Sequence, residues 1–238
     1  MMLPNFLIIG AQKAGTTSLS LYLKQHPQIY IDGDEPHFFA FEGKRPKLLG
    51  PRAADTHFWR TRITTIEAYQ QVFQRVTTEK AVGETSSYYL FIPETAKRIH
   101  HYIPDVKLIA ILRNPVDRAY SNFWHCVRHG FEPYTDFVRA LQEEEGSRKH
   151  WGIVWQYKAK GCYYTQLRRY YEIFDRKQIH VYLNEDLAAN PANMLKDIFT
   201  FLEVDDTFSP DVSSKHNVNP GIPQSTIVHR LLSKQHPF

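Results

Sequence analysis

Several things are scarce in this sequence, and each scarcity excludes something. Only two of its 238 residues are cysteine, Cys126 and Cys162. Two are too few for a disulfide framework and fit no metal pattern. Both therefore read as buried thiols of a reducing compartment. No apolar run approaches the roughly 18 residues of a membrane helix. The opening Met1-Met2-Leu3-Pro4-Asn5 lacks a basic leader and a small-residue cleavage site, so no signal peptide is expected. Charge of one sign is also scarce: 29 Lys and Arg against 25 Asp and Glu leave +4. That balance suits an anionic ligand but, without a basic block or a recognised module, excludes nucleic acid as an expected partner. No repeat or low-complexity tract is visible. What is present is 42% apolar, 23% charged and 14% aromatic, the composition of a folded globular protein rather than a disordered one. The length allows one large domain or two small ones. With no linker in view, a single domain over residues 1–238 is expected.

Strand-like and helix-like patterns alternate along the chain. Phe6-Leu7-Ile8-Ile9 is a short apolar run ending at Gly10, as a buried parallel strand would be. Residues 18–25 then read as a helix stopped by Pro27, and residues 29–31 as a short strand. Residues 40–62, rich in Gly, Pro and Arg, read as a long loop. Helices are expected over 66–76 and 93–102, with a core strand at 81–83 between them. Lys107-Leu108-Ile109-Ala110-Ile111-Leu112 is the clearest buried strand. It runs into Asn114-Pro115, a good N-cap followed by a residue suited to the first helical position, so a helix should extend to about His129. Further on, 163–174 and 191–202 read as helices and 179–183 as a strand. This alternation implies an α/β fold with a parallel sheet covered on both faces.

The densest chemistry lies in Gly10-Ala11-Gln12-Lys13-Ala14-Gly15-Thr16-Thr17-Ser18, between the first strand and the first helix. Glycines allow a tight turn in which successive N–H groups converge on an anion, and the helix N-terminus adds its positive end. A nucleotide-triphosphate loop reads G-x-x-x-x-G-K-[ST]. Here both glycines match, but Thr16 stands where that lysine belongs, and the lysine has moved to Lys13. After the second glycine, a lysine reaches terminal phosphates beside magnesium. From mid-loop it would sit over a 5′-phosphate and its bridging oxygen, neutralising the charge left when a group departs. The hydroxyls of Thr16, Thr17 and Ser18 would donate further bonds. An ordinary strand-to-helix turn is the duller alternative; the lysine, the hydroxyls and the flanking elements weigh against it.

A second anion site is suggested by Arg113, at the end of the 107–112 strand, and Ser121, eight residues on. An arginine at a parallel strand's carboxyl end faces the crevice where such sheets bind ligands, and its fork suits phosphate. Asn-Pro-x-Asp-Arg is also a fair helix start, and service to that cap alone is the duller reading of Arg118 or Asp117. Together the two segments resemble the 3′-phosphoadenosine 5′-phosphosulfate (PAPS)-dependent sulfotransferase family. Its G-x-x-K-x-G-T-[TS] loop stands at residues 10–17, and its R-[ND]-P-x-[DE]-R-x-x-S segment at 113–121. The likeness is closest to the heparan-sulfate type (N-deacetylase/N-sulfotransferase and 3-O-sulfotransferase domains) and its bacterial relatives, and it runs from Phe6 to about Leu202.

The resemblance implies a P-loop-containing parallel sheet flanked by helices. It implies PAPS as donor, adenosine 3′,5′-bisphosphate as product, and no metal. Gln12, Lys13, Ala14, Gly15, Thr16, Thr17 and Ser18 would cradle the 5′ end, and Arg113 and Ser121 the 3′-phosphate. Tyr163, in Gly161-Cys162-Tyr163-Tyr164-Thr165, matches a family tyrosine near the cofactor. Lys215, in Lys215-His216-Asn217, would grip it from a C-terminal loop. Asp34-Glu35-Pro36-His37-Phe38-Phe39 resembles the segment whose glutamate is the general base. Glu35 would then take the acceptor's proton, Lys13 would stabilise the leaving oxygen, and His37 would hold the substrate or assist. Gly83-Glu84-Thr85-Ser86-Ser87-Tyr88-Tyr89 resembles the strand-end segment facing acceptor and cofactor. Thr85 stands where many heparan-sulfate relatives carry lysine. Glu84 is the second choice for the base, or else a structural ion-pair partner of Lys13 or Arg113. Tyr88 and Tyr89 read as core packing before sugar platform.

The acceptor stays open among saccharide, lipid-linked sugar and small alcohol, and the oligomeric state is not legible. A short or truncated, cytoplasmic, bacterial-like member is expected. Two rivals remain: a P-loop kinase-like phosphotransferase, which the absence of lysine at position 16 disfavours, and an inactive nucleotide-binding relative, which the retained Lys13, Glu35, Arg113 and Ser121 disfavour.

Overall fold

A computed structural model describes residues 2–32, 34–44, 62–147 and 149–213. The expectation for Lys215 and its neighbours, and most of the 40–62 loop, lie outside the described residues. Five strands carry the fold: β1 (Phe6–Gly10), β2 (Ile29–Ile31), β3 (Ala81–Thr85), β4 (Lys107–Leu112) and β5 (Ile179–Leu183). They form one sheet in the order β2-β3-β1-β4-β5, every neighbouring pair parallel. β1 and β4 are unbroken apolar runs because helices cover both faces of the sheet centre, leaving no side for polar residues. β5, at the edge, alternates buried and open positions instead.

The chain divides into two compact units. The described part of the first comprises residues 2–44 apart from residue 33, Arg62–Arg113 and residues 163–213, and contains the whole sheet. Its core packs Phe6, Ile8, Ile109 and Ile111 of the sheet with Leu19 and Leu23 of helix α1 (Thr16–Leu23) and with α9 (Pro191–Leu202). The bounds of α9 are those its sequence predicts: Asn190 caps it by accepting the Asn193 N–H at 3.2 Å, and Pro191 fills the first turn. α2 (Phe38–Phe41) and α8 (Asn184–Ala189) have no periodic sequence signal. They are too short for one, and tertiary contacts hold them. α3 (Ile66–Gln71) is capped by Thr65 and stops short of the predicted Val76, where turns take over. α4 (Thr95–Tyr102) and α7 (Tyr163–Tyr171) also fall inside their predicted spans.

The second unit's described part is Asn114–Cys162. Asn114 opens α5 (Pro115–Arg128) as expected, accepting the N–H groups of Val116 at 2.9 Å and Asp117 at 3.4 Å. α6 (Phe137–Glu145), which the sequence did not announce, is capped by Asp136. Phe123, Cys126, Ala140, Trp155 and Tyr157 form this unit's own core. Two expectations are corrected here. Arg118 does more than serve a cap: it is wholly buried and donates to the Tyr157 carbonyl. Cys162 is exposed, so only Cys126 is the buried thiol expected of both. Among the described residues, no helix is long and apolar enough to cross a membrane.

Candidate active site

The chain leaves β1 toward β2 and leaves β4 toward β5, and these two strands are neighbours. Connections departing in opposite directions open a crevice beyond the strands' carboxyl ends. The glycine loop borders it after β1, and Arg113 borders it after β4. The loop is pinned to the sheet by the Ala11 N–H, which donates to the Ile111 carbonyl at 2.7 Å, and turns through an Ala14 N–H to Ala11 carbonyl bond of 3.1 Å. Lys13 at its apex takes φ 68° and Gly15 takes φ 101°. Gly15 is required twice over. Its conformation is left-handed, and a Cβ there would lie 2.5 Å from Asn184 Nδ2. α1 starts directly after it with no side-chain cap and no acid in its first turn. The first N–H groups of a helix have no intrahelical acceptor, so this end presents donors and positive potential to an anion. Thr16, Thr17 and Ser18 are its first three residues.

The loop rests on the turn that follows β3. Gln12 Nε2 donates to Tyr88 Oη at 3.1 Å, and a Cβ on Gly10 would come within 3.0 Å of the Ser87 carbonyl. That same turn holds Glu35. Its Oε2 accepts from Ser87 Oγ at 2.7 Å, from the Ser87 N–H at 3.3 Å and from His37 Nε2 at 2.9 Å. Glu35 is thereby set beside the glycine loop, a proximity its distance in sequence conceals. Burial pushes its carboxyl upward, but the bonds from His37 and Ser87 outweigh it and leave the group below the ordinary carboxylate range. His37 is 1% exposed and packs against the Tyr88 ring at 4.9 Å. Burial lowers its pKa, against the opposing pull of Glu35. The neutral ring then donates through Nε2 to the Glu35 carboxylate. Arg62 donates to the Glu35 backbone carbonyl at 3.0 Å.

Glu84 behaves in the opposite way. It is 0% exposed, and burial raises its pKa from 4.5 to about 8, although hydroxyls of Tyr89, Ser86 and Tyr69 bond to it. At neutral pH one carboxyl of the region is ionised and the other protonated, a separation set by environment alone. The sequence offered an ion pair for Glu84; its partners here are hydroxyls. Tyr88 and Tyr89 are both buried, in keeping with packing.

At the other border, Tyr163 Oη donates to the Arg113 carbonyl at 2.9 Å, joining these two predicted residues. The half-buried Arg113 guanidinium has no hydrogen-bonding or ionic partner among the described residues. Ser121 lies on α5, in the second unit, and is half-buried. Sequence reading singled out neither Ser87 nor Arg62 nor Tyr69. For Ser87 the signal was available, a hydroxyl pair directly after a core strand. Arg62 and Tyr69 lie in unrelated segments and gave none. Among the described residues, no group of His, Cys, Asp and Glu could hold a metal ion.

A sequence model of the sulfotransferase family matches residues 4–209. Human heparan sulfate glucosamine 3-O-sulfotransferase 6 is 30% identical over 203 residues, covering 84% of this chain and 52% of that protein. Mouse bifunctional heparan sulfate N-deacetylase/N-sulfotransferase 4 is 29% identical over 214 residues, covering 85% and 22%. The chain thus spans about half or less of the curated relatives it matches. Among solved structures, a sulfotransferase from Alicyclobacillus acidocaldarius is 40% identical with a TM-score of 0.82, covering 92% of this chain and 88% of that one.

Proposed function

The chain belongs to the sulfotransferase family, and on that premise we propose that it moves a sulfuryl group from PAPS to a hydroxyl or amine acceptor. One observation carries the reading: the turn after β3 holds the Glu35 carboxylate and the glycine loop together, through Ser87 on one side and Tyr88 on the other. A proton acceptor and a phosphate cradle adjoin, as in-line transfer requires. The residues fit the donor. The uncapped α1 start with the hydroxyls of Thr16, Thr17 and Ser18 suits a 5′-phosphate, and Arg113, whose guanidinium has no partner among the described residues, suits a 3′-phosphate. When bound, the donor supplies an activated sulfuryl group.

The chain's own residues supply the rest. Glu35 takes the acceptor's proton, an effect worth roughly 10²–10⁴ in rate. His37 holds that carboxylate in place. Lys13 balances the charge left on the departing phosphate oxygen. Gln12, Ala14 and Gly15 shape the loop, and Tyr163 steadies the main chain at Arg113. Residues 1–238 then serve as one sulfotransferase domain, to which Ser121 and Lys215 belong on the sequence motif alone. No metal takes part in the proposal. The heparan-sulfate relatives favour a saccharide acceptor over a small alcohol. Cys126 and Cys162 form no disulfide, which favours the cytoplasm.

The test is a screen of saccharide and small-alcohol acceptors with isotope-labelled PAPS, read by mass spectrometry. The parent is expected to give a labelled product. Glu35→Gln is expected to lose about 10²–10⁴ of turnover while keeping bisphosphate affinity within a few-fold. Equal loss of both would make Glu35 structural. Binding of ATP in preference to the bisphosphate would favour the phosphotransferase reading.

A further inference from the structure

Behind Glu35 and His37 lies a closed hydroxyl cage around a carboxyl that the proposed reaction does not use. Tyr69 on α3, Glu84 at the end of β3, Ser86 and Tyr89 are all 0% exposed. Glu84 Oε1 accepts from Tyr69 Oη at 3.1 Å, and Oε2 accepts from Ser86 Oγ at 2.8 Å. The Tyr89 hydroxyl bonds to the same carboxyl. Each of two cage hydroxyls also receives a backbone N–H from the start of α2. Ser86 Oγ accepts from His37 at 2.9 Å, and Tyr89 Oη accepts from Phe39 at 3.3 Å.

α2 has only four residues, too few to sustain itself by its own hydrogen bonds. Its N-cap residue, His37, offers no side-chain cap. The caps come instead from the cage, a role that Ser, Thr, Asp or Asn fills locally in ordinary helices. His37 takes φ 53°, a left-handed conformation uncommon outside glycine. With its backbone in that conformation, its Nε2 meets Glu35 Oε2 at 2.9 Å. One residue thus combines the left-handed backbone, the amide bond to Ser86 and the ring's bond to Glu35.

We propose that Glu84 is a positioning residue for Glu35: through the Ser86 and Tyr89 hydroxyls it anchors the start of α2 and fixes the His37 imidazole on the Glu35 carboxylate. The role in transfer rests on Glu35 being the proton acceptor; the anchoring itself does not. Sealed from solvent, Glu84 meets no acceptor substrate and works as a neutral hydrogen-bonding group. A protonated carboxyl combines a donor with an acceptor oxygen, and so does a carboxamide. Glutamine can therefore replace it, and an apolar side chain of similar size cannot.

Kinetics with the acceptor found by the labelled-donor screen, bisphosphate binding, and ¹⁵N NMR of the His37 ring test this in Glu84→Gln, Glu84→Leu and Ser86→Ala. Ser86→Ala is the milder change should Glu84→Leu not fold. Ser86→Ala and Glu84→Leu are expected to lower kcat at least tenfold, with bisphosphate affinity within twofold of the parent, and to shift or broaden the His37 Nε2 resonance. Glu84→Gln is expected to recover kcat to within threefold. Three results overturn the proposal. Glu84→Gln as inactive as Glu35→Gln would make Glu84 a proton carrier itself. Parent-like kcat and His37 resonance in Ser86→Ala would leave the chain of bonds without effect. Parallel loss of bisphosphate affinity would mean general disruption. If the parent itself turns over no acceptor, the reading of Glu35 fails, and the His37 resonance alone decides the anchoring.

Discussion

Replacing Glu84 by glutamine should change how the protein's stability responds to pH. Burial raises the folded-state pKa of Glu84 from 4.5 to about 8. Below the lower value both folded and unfolded chains hold the proton, and the full contribution to stability is present. Between the two values only the unfolded chain releases it, so stability falls by about 1.4 kcal/mol per pH unit. Above the folded-state value the loss is complete, about 5 kcal/mol in all. The glutamine chain has no such proton. Every other titrating group, Glu35 and His37 included, is common to both chains and cancels to first order in the difference. The stability of Glu84→Gln relative to the parent should therefore rise by about 2.5 kcal/mol from pH 5 to pH 7, whatever constant offset the new side chain brings. Urea unfolding followed by tryptophan fluorescence at pH 5, 6 and 7 measures it. A difference flat to within about 0.5 kcal/mol, a tolerance comparable to the extrapolation error, would show Glu84 already ionised in the folded protein. The hydroxyl cage would then not be the dry enclosure described.

Arg113→Ala is expected to weaken the part of bisphosphate affinity that depends on the 3′-phosphate by roughly 2–5 kcal/mol, as truncation of a desolvated charged partner does. Titrations with adenosine 3′,5′-bisphosphate and adenosine 5′-phosphate that respond alike in mutant and parent would refute it. Gly83→Ala places a Cβ 2.4 Å from the Phe6 ring across the β1–β3 pair, and overpacking of that kind should cost about 1–3 kcal/mol. An unchanged urea midpoint would show that Phe6 moves aside freely.

The parts of the fold that depend on short-range pattern were legible. β1 and β4 stand out as unbroken apolar runs because a parallel strand covered on both faces needs nothing else. The starts of α5 at Asn114-Pro115 and of α9 at Asn190-Pro191 follow from capping chemistry confined to a few residues. The glycine loop was legible for the same reason, since its turn depends on the φ freedom of a few consecutive positions. α2 and α8 escaped because four and six residues give no period, and α6 escaped although it has nine.

By itself the sequence determined which pieces exist: a glycine loop with its mid-turn lysine and an arginine after the fourth strand, both suited to anions, and the carboxyl groups at 35 and 84. It could not say how those carboxylates differ, because protonation depends on surroundings gathered from remote segments. Only the folded chain brings Ser87 and His37 onto Glu35 and closes Tyr69, Ser86 and Tyr89 around Glu84. Hydrogen bonds that stabilise charge keep the first ionised. Exclusion from water, which penalises charge, keeps the second neutral.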